Sequence, residues 1–132
     1  MADDTMATIE LQVTEADTAS ALMSGDLPVL GTPRLIAWME AATCQAVRPR
    51  LQSGQSTVGT RVAVEHRAPS AIGASVLVTA RLTAAEDRTL TFDVEATDVG
   101  TGDRLADGMI TRVVIDERRF LARLGSDASR SA

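Results

Sequence analysis

Between Leu35 and Val47 the chain carries a single charge, Glu40, in a run whose apolar positions recur at helical spacing. At about 100° per residue, Leu35, Ile36, Met39, Ala42, Thr43, Ala46 and Val47 form one broad stripe. The opposite side holds Ala37, Trp38, Ala41, Cys44 and Gln45 and is uncharged. A surface helix shows a charged back, so a helix without one is covered on both sides. In 132 residues, one domain's worth, this requires a sheet curled around the helix, with a partner subunit left to cover the remainder. Thr32 reads as the N-cap and Pro33 as the first helical residue. Pro49 ends the helix after about Arg48.

Period-two patterns flank the helix. The first strand runs from Ala7 to Val13, with Ile9, Leu11 and Val13 on one face. Four more follow. They are Thr57 to Arg67 (Val58, Val62, Val64 and His66 of one parity), Ser75 to Ala84 (Val76, Val78, Leu82), Thr89 to Asp98 (Leu90, Phe92, Val94, Ala96) and Arg104 to Ile115 (Met109, Thr111, Val113, Ile115). Glu86-Asp87-Arg88 and Gly100-Thr101-Gly102-Asp103 read as hairpin turns. Gly59 inside a strand signals a bulge, a close backbone approach to a ligand, or a weak edge. Thr14 to Gly31 is broken by Asp26, Pro28 and Gly31, yet Leu22, Met23, Leu27, Val29 and Leu30 make it too apolar for a plain solvent loop. It is expected as a short helix or a flap over a pocket. Glu117 to Leu124 suits a final helical turn or two, and residues 1–5 and 125–132 read as disordered ends of one domain spanning 1–132. One strand, a long helix, then four antiparallel strands is the order of the α+β hotdog fold: a five-stranded antiparallel sheet wrapped around one helix. A cystatin-like α+β domain is the alternative.

Composition removes several functions. A net charge of -5 and an aromatic share of 2% disfavour nucleic acid, which wants basic surface and stacking platforms. All 13 basic residues are Arg, which excludes Schiff-base chemistry and a P-loop lysine but leaves local phosphate binding open. Cys44 is the only cysteine and His66 the only histidine, so neither an internal disulfide nor a zinc site is expected, and no cofactor is implied. The longest uncharged run, Ala68 to Ala80, is shorter than the ~20 residues of a membrane helix. The acidic start, Met1-Ala2-Asp3-Asp4, is the opposite of a signal peptide, and a cytoplasmic protein is expected. The Ala, Val and Arg bias without Lys suggests a GC-rich, bacterial genome.

Three residues carry the candidate chemistry. Glu40 sits at the flank of the apolar stripe, where an unpaired carboxylate is poorly solvated; its plain reading is a solvent-leaning group or a partner of Arg61 or Arg112. His66 is either a hydrogen-bonded sheet histidine or an acid-base group. Thr32 is most simply a cap, but helix N-termini also present free N–H groups suited to a carbonyl or its oxyanion. Cys44 has no basic neighbour in sequence and reads as packing. No Gly-rich phosphate loop and no G-x-S-x-G elbow is present.

Thr32-Pro33-Arg34-Leu35-Ile36-Ala37-Trp38-Met39-Glu40-Ala41-Ala42, then Val58-Gly59-Thr60, Val64-Glu65-His66 and Thr111-Arg112-Val113-Val114-Ile115, resemble the fluoroacetyl-CoA thioesterase group of hotdog proteins. The likeness spans roughly residues 28–120 and rests on shared spacing: a Thr at the helix start, a Glu eight positions on, a His twenty-six positions later, and an Arg in the last strand. It implies an acyl-CoA thioesterase with Thr32, Glu40 and His66 as the catalytic set. It also implies Gly59 and Arg112 beside the acyl group, and a homodimer with its sites near the subunit interface. A non-catalytic hotdog protein binding an acyl-CoA or another small apolar ligand is the competing reading. A hydratase lacks its usual Asp-and-His pairing here. The likeness departs at one place, since that group carries phenylalanines in a lid before the helix and Met23 to Leu30 contains no aromatic residue. Discriminating so small a substituent needs a tailored apolar site. Fluoroacetyl-CoA is therefore expected to show no strong preference over acetyl-CoA in kcat/KM. A preference of several orders of magnitude would refute this.

Overall fold

The computed structural model describes residues 5–131, with side chains through residue 125. Strand β1 (Met6–Gln12) is followed by a 3-10 turn at Glu15–Asp17, helix α1 (Thr32–Val47) and a second 3-10 turn at Arg48–Arg50. Then come β2 (Gln55–His66), β3 (Ser75–Glu86), β4 (Thr89–Asp98), β5 (Arg104–Asp116) and helix α2 (Glu117–Ser131). The five strands form one antiparallel sheet in the order β1-β3-β4-β5-β2. Helix α1 packs on β3 and β1, and less on β4 and β2. This is the hotdog arrangement, not the cystatin-like alternative. Of the expected ends, residues 1–4 and 132 lie outside the described residues. Thr5 is buried and its carbonyl accepts the Leu82 N–H at 2.9 Å, and α2 runs beyond the Leu124 at which the pattern stops.

The core forms where α1 meets one sheet face. Leu35, Met39, Ala42 and Val47 meet Val76 and Val78 of β3, Phe92 of β4 and Ile110 of β5. Trp38 is buried and Ile36 only half-buried, the reverse of the expected stripe, while Ala37, Ala41 and Gln45 stay exposed. Trp38 lies one turn from Leu35, so the buried face includes both. The alternating Leu90, Phe92, Val94 and Ala96 are all buried as their parity requires.

Two strands depart from simple alternation. The β2–β5 register shifts between Gly59 and Arg61, a bulge that reverses which side chains face the helix. Val58 is thereby placed on the face opposite Val62, Val64 and His66, correcting the single parity read from sequence. On β5, Leu105, Ala106, Ile110 and Arg112 are the buried residues. Val113 and Ile115, from the apolar alternation, line the outer face together with Phe120 of α2. Their apolar character is explained by that outer layer rather than by the core.

The segment between β1 and α1 folds back on itself. Ala19 N–H donates to the Val29 carbonyl at 2.7 Å and Ser20 N–H to that of Leu27 at 3.2 Å. Leu30 is buried at the base, and Met23 is 92% exposed at the tip. It is a flap, anchored to the body by Leu30 N–H donating to the Ser70 carbonyl at 2.9 Å.

Met39 is fully buried between helix and sheet. Met39→Ala should cost about 2–5 kcal/mol, from lost transfer energy and the cavity left behind. Chemical denaturation would show a lower midpoint with an unchanged slope; a cost under about 1 kcal/mol would mean the helix is not clamped as described.

Candidate active site

Sequence assigns Thr32 to the cap of α1, and the structure gives that position to Gly31. Gly31 is extended (φ -77, ψ 139), and its carbonyl accepts the N–H groups of Arg34 and Leu35 at 3.0 and 3.1 Å. A side chain on Gly31 would meet the Ala19 backbone at 3.1 Å. Thr32 is thereby moved into the first turn with its hydroxyl free of capping. That hydroxyl lies 2.7 Å from Nδ1 of His66, the last residue of β2.

His66 is held by one ring nitrogen. Its Nε2 is buried and has no hydrogen-bond partner among the described residues. Burial lowers the imidazole's pKa from its usual 6.5, against a smaller raising effect of the nearby Ala68 backbone. The ring is therefore neutral at pH 7, with one nitrogen accepting and the other donating. A Thr32 hydroxyl donating to Nδ1 leaves an Nε2–H donor. Thr32 and His66 line a cavity of about 260 Å³ with Ala19, Ser24 and Val29 of the flap and Pro69 beyond β2.

A second cluster lies further along α1. The Arg112 guanidinium is buried on the helix side of β5. Its Nε–H donates to the Thr57 hydroxyl at 2.8 Å and Nη2–H to the Thr57 carbonyl at 3.1 Å. Nη1 is left to meet Oε2 of Glu40 at 3.3 Å. Of the two arginines offered to Glu40 by sequence, Arg112 is the partner. Gly59 faces Arg112 across the β2–β5 ladder. A Cβ on Gly59 would sit 2.6 Å from Glu40 Oε2 and 3.3 Å from Arg112 Nη1, so the absence of a side chain gives the carboxylate its place. Gly59 is thus both bulge and close approach.

The five residues singled out by sequence form these two groups. No hydrogen bond or ion pair joins Glu40 to Thr32 or His66 among the described residues. Thr32 and Glu40 are eight helical positions apart, about 12 Å of rise. Among the described residues no three His, Cys, Asp or Glu side chains converge as a metal would need. Cys44 is a half-buried free thiol.

The family model of the fluoroacetyl-CoA-specific thioesterases matches residues 13–118, which include both clusters. The chain belongs to this family. A fluoroacetyl-CoA thioesterase from Streptantibioticus cattleyicolor is 35% identical over 96 residues, covering 73% of this chain and 68% of that protein. The solved fluoroacetyl-CoA thioesterase superposes with a TM-score of 0.86 at 30% identity, covering 96% of each chain. A variant of that enzyme in complex with fluoroacetate and CoA gives 0.84 at 30% identity, over 91% of this chain and 99% of that one. A thioesterase-superfamily protein from Thermus thermophilus gives 0.88 at 26% identity, over 98% and 94%.

Within this thioesterase fold, sequence reasoning missed Thr57. Nothing in a strand threonine marks it, because its importance comes from the register that sets β2 beside β5. Gly31 reads from sequence only as a breaker, and its role follows from crowding against Ala19.

The lowered His66 pKa fixes a direction for stability. The folded ring binds protons less readily than the unfolded one, so its contribution is fully present above the unfolded value of 6.5. It is lost as pH falls below 6.5 through the folded value. Lowering the pH from 7 into that window should therefore depress the thermal midpoint of the wild type more than that of His66→Gln. Equal pH dependence of the two would show that the ring's environment does not disfavour its charged form.

Proposed function

We propose that this protein hydrolyses an acyl-CoA thioester to a carboxylic acid and free CoA, with Thr32, Glu40 and His66 as catalytic groups and Gly59 and Arg112 beside the acyl group. The observation that carries this reading is the held carboxylate: the one acidic residue of α1 is fixed by a buried arginine in space that a glycine leaves open. A Glu40 oxygen attacks the thioester carbonyl to give a mixed anhydride that water then cleaves to the acid, or Glu40 takes the proton of an attacking water. The carbonyl oxygen gains negative charge, the C–S bond breaks, and the departing thiolate takes up a proton. Thr32 offers its hydroxyl to the acyl group, and neutral His66 orients that hydroxyl and exchanges protons with it.

The enzyme is proposed to act as a homodimer. β2 is a twelve-residue edge strand, and an open edge of that length is normally paired or blunted. Antiparallel pairing of β2 with its copy about the strand centre would carry His66 of one protomer toward Gln55 of the other. Thr57 and Arg112 lie on that side. The same association would cover the exposed, uncharged Ala37 and Ala41. It would also close the distance that separates Thr32–His66 from Glu40 within one chain. A cytoplasmic setting fits a single free cysteine that needs no oxidising compartment.

Thiol release from a panel of acyl-CoAs tests the activity, and its absence with every member would favour a binding protein. Glu40→Gln keeps the side-chain shape and one acceptor for Arg112. It should hold the thermal midpoint within a few degrees while hydrolysis falls about 10²–10⁴-fold. Mixing Glu40→Gln with His66→Ala protomers should restore about a quarter of wild-type activity, one intact site in half of the dimers. No restoration would place the whole site within one chain.

A further inference from the structure

Two cavities meet at the end of β5, away from the Thr32–His66 pair. The first, about 320 Å³, lies on the outer sheet face, with Val58, Val113, Ile115 and Phe120 as an apolar floor. The second, about 400 Å³, lies beside the C-terminal end of α1 and includes Val47, Leu90 and Val114 from the inner layer. Both are lined by Arg88 of the β3–β4 turn and Arg119 of α2. Neither arginine side chain takes part in an ion pair or hydrogen bond among the described residues, whereas Arg34, Arg67, Arg104 and Arg112 are all paired. Asp116 also lines both cavities, and its Oδ1 accepts the Arg119 backbone N–H at 2.9 Å. In a chain of net charge -5, unpaired arginines over an apolar floor mark a local preference for an anion with a flat apolar part.

One wall of the second cavity is one strand pairing away from the group that holds the carboxylate. Val114, in its wall, pairs with Thr57 across the ladder, and Thr57 holds Arg112 against Glu40. We infer that Arg88 and Arg119 bind the phosphates of the nucleotide end of the CoA thioester, with the purine on the Val113–Phe120 floor and the thin pantetheine arm running through the second cavity. The inference rests on the thioesterase reading and adds to it the place where the substrate's charged end is held. Arginine suits this role because its fork bonds phosphate oxygens in pairs, and charge-assisted hydrogen bonds are stronger than neutral ones. Phosphate-bearing substrates are also drawn to such a patch before they dock.

The test compares an acyl-CoA with the N-acetylcysteamine thioester of the same acid, which has the reacting group and lacks the nucleotide. In Arg88→Gln/Arg119→Gln, kcat/KM for the acyl-CoA should fall about tenfold or more, mainly through KM, while that for the short thioester stays within about twofold. Unchanged values for both would overturn the inference, and so would equal losses for both, which would mean the arginines act through the fold. Calorimetric titration with adenosine 3′,5′-bisphosphate makes the inference independent of turnover. Binding by the wild type that is lost in the double variant supports the site, and no binding by the wild type overturns it. A protein that binds this nucleotide but hydrolyses no thioester would fail the thioesterase reading while leaving the phosphate site standing.

Discussion

A guanidinium on the helix-facing side of the sheet sets the terms for everything around it. Arg112 is 7% exposed, and a cation so placed persists only if its donors are met. Thr57 meets two of them, which fixes the plane of the group and points the remaining nitrogen at α1. The helix residue there is Glu40, 38% exposed at its side chain, so the pair spans the boundary between core and solvent. Both members need room, and Gly59 supplies it. The strand around Gly59 bulges, and that bulge lets Thr57 and Gly59 face the same side as Val62, Val64 and His66. One buried charge thus ties together a bulge, a glycine, a threonine and a carboxylate.

The fold was legible because its signals are periodic. The almost uncharged helix, the β4 alternation and the order of elements were enough to specify a sheet wrapped around a helix. The inner and outer faces of β2 and β5 were not legible. On β5 both parities carry apolar residues, with Phe120 of α2 beside Val113 and Ile115 on the outside, and periodicity cannot say which set meets the helix. On β2 a single extra residue reverses the parity, and a lone glycine indicates where that happens without saying which face results. Thr32 was legible as a residue of the helix start but not as a partner of His66. That pairing depends on Gly31 being forced into the cap by the flap packed against it.

The same reasoning explains why the two clusters differ in character. Glu40 is held by a neighbour that cannot move without exposing unsatisfied donors, so its position is inherited from the core. His66 is held at the end of an edge strand and against a flap whose tip is almost entirely solvated. Edges and flaps open more readily than cores. In the proposed mechanism the residue fixed by the core is the one whose placement against a carbonyl must be accurate, since small misplacements of a reacting group cost much rate. In that mechanism the pair at the edge would admit an acyl group and release an acid.

Electrostatics favour the same division. An acidic chain repels an anionic thioester over most of its surface, so productive encounters are those in which local positive charge meets the substrate first. Arg34, Arg67 and Arg104 are taken up by Asp17, Asp107 and Glu95, and Arg112 by Glu40. With no lysine in the chain, every remaining cation is an arginine, and three that have no carboxylate partner among the described residues, Arg88, Arg119 and Arg123, line the cavities at the end of β5. On the proposed binding mode, pairing the arginines around His66 and Glu40 keeps them from competing for the substrate's phosphates and would leave the thioester end to the polar groups at the start and middle of α1.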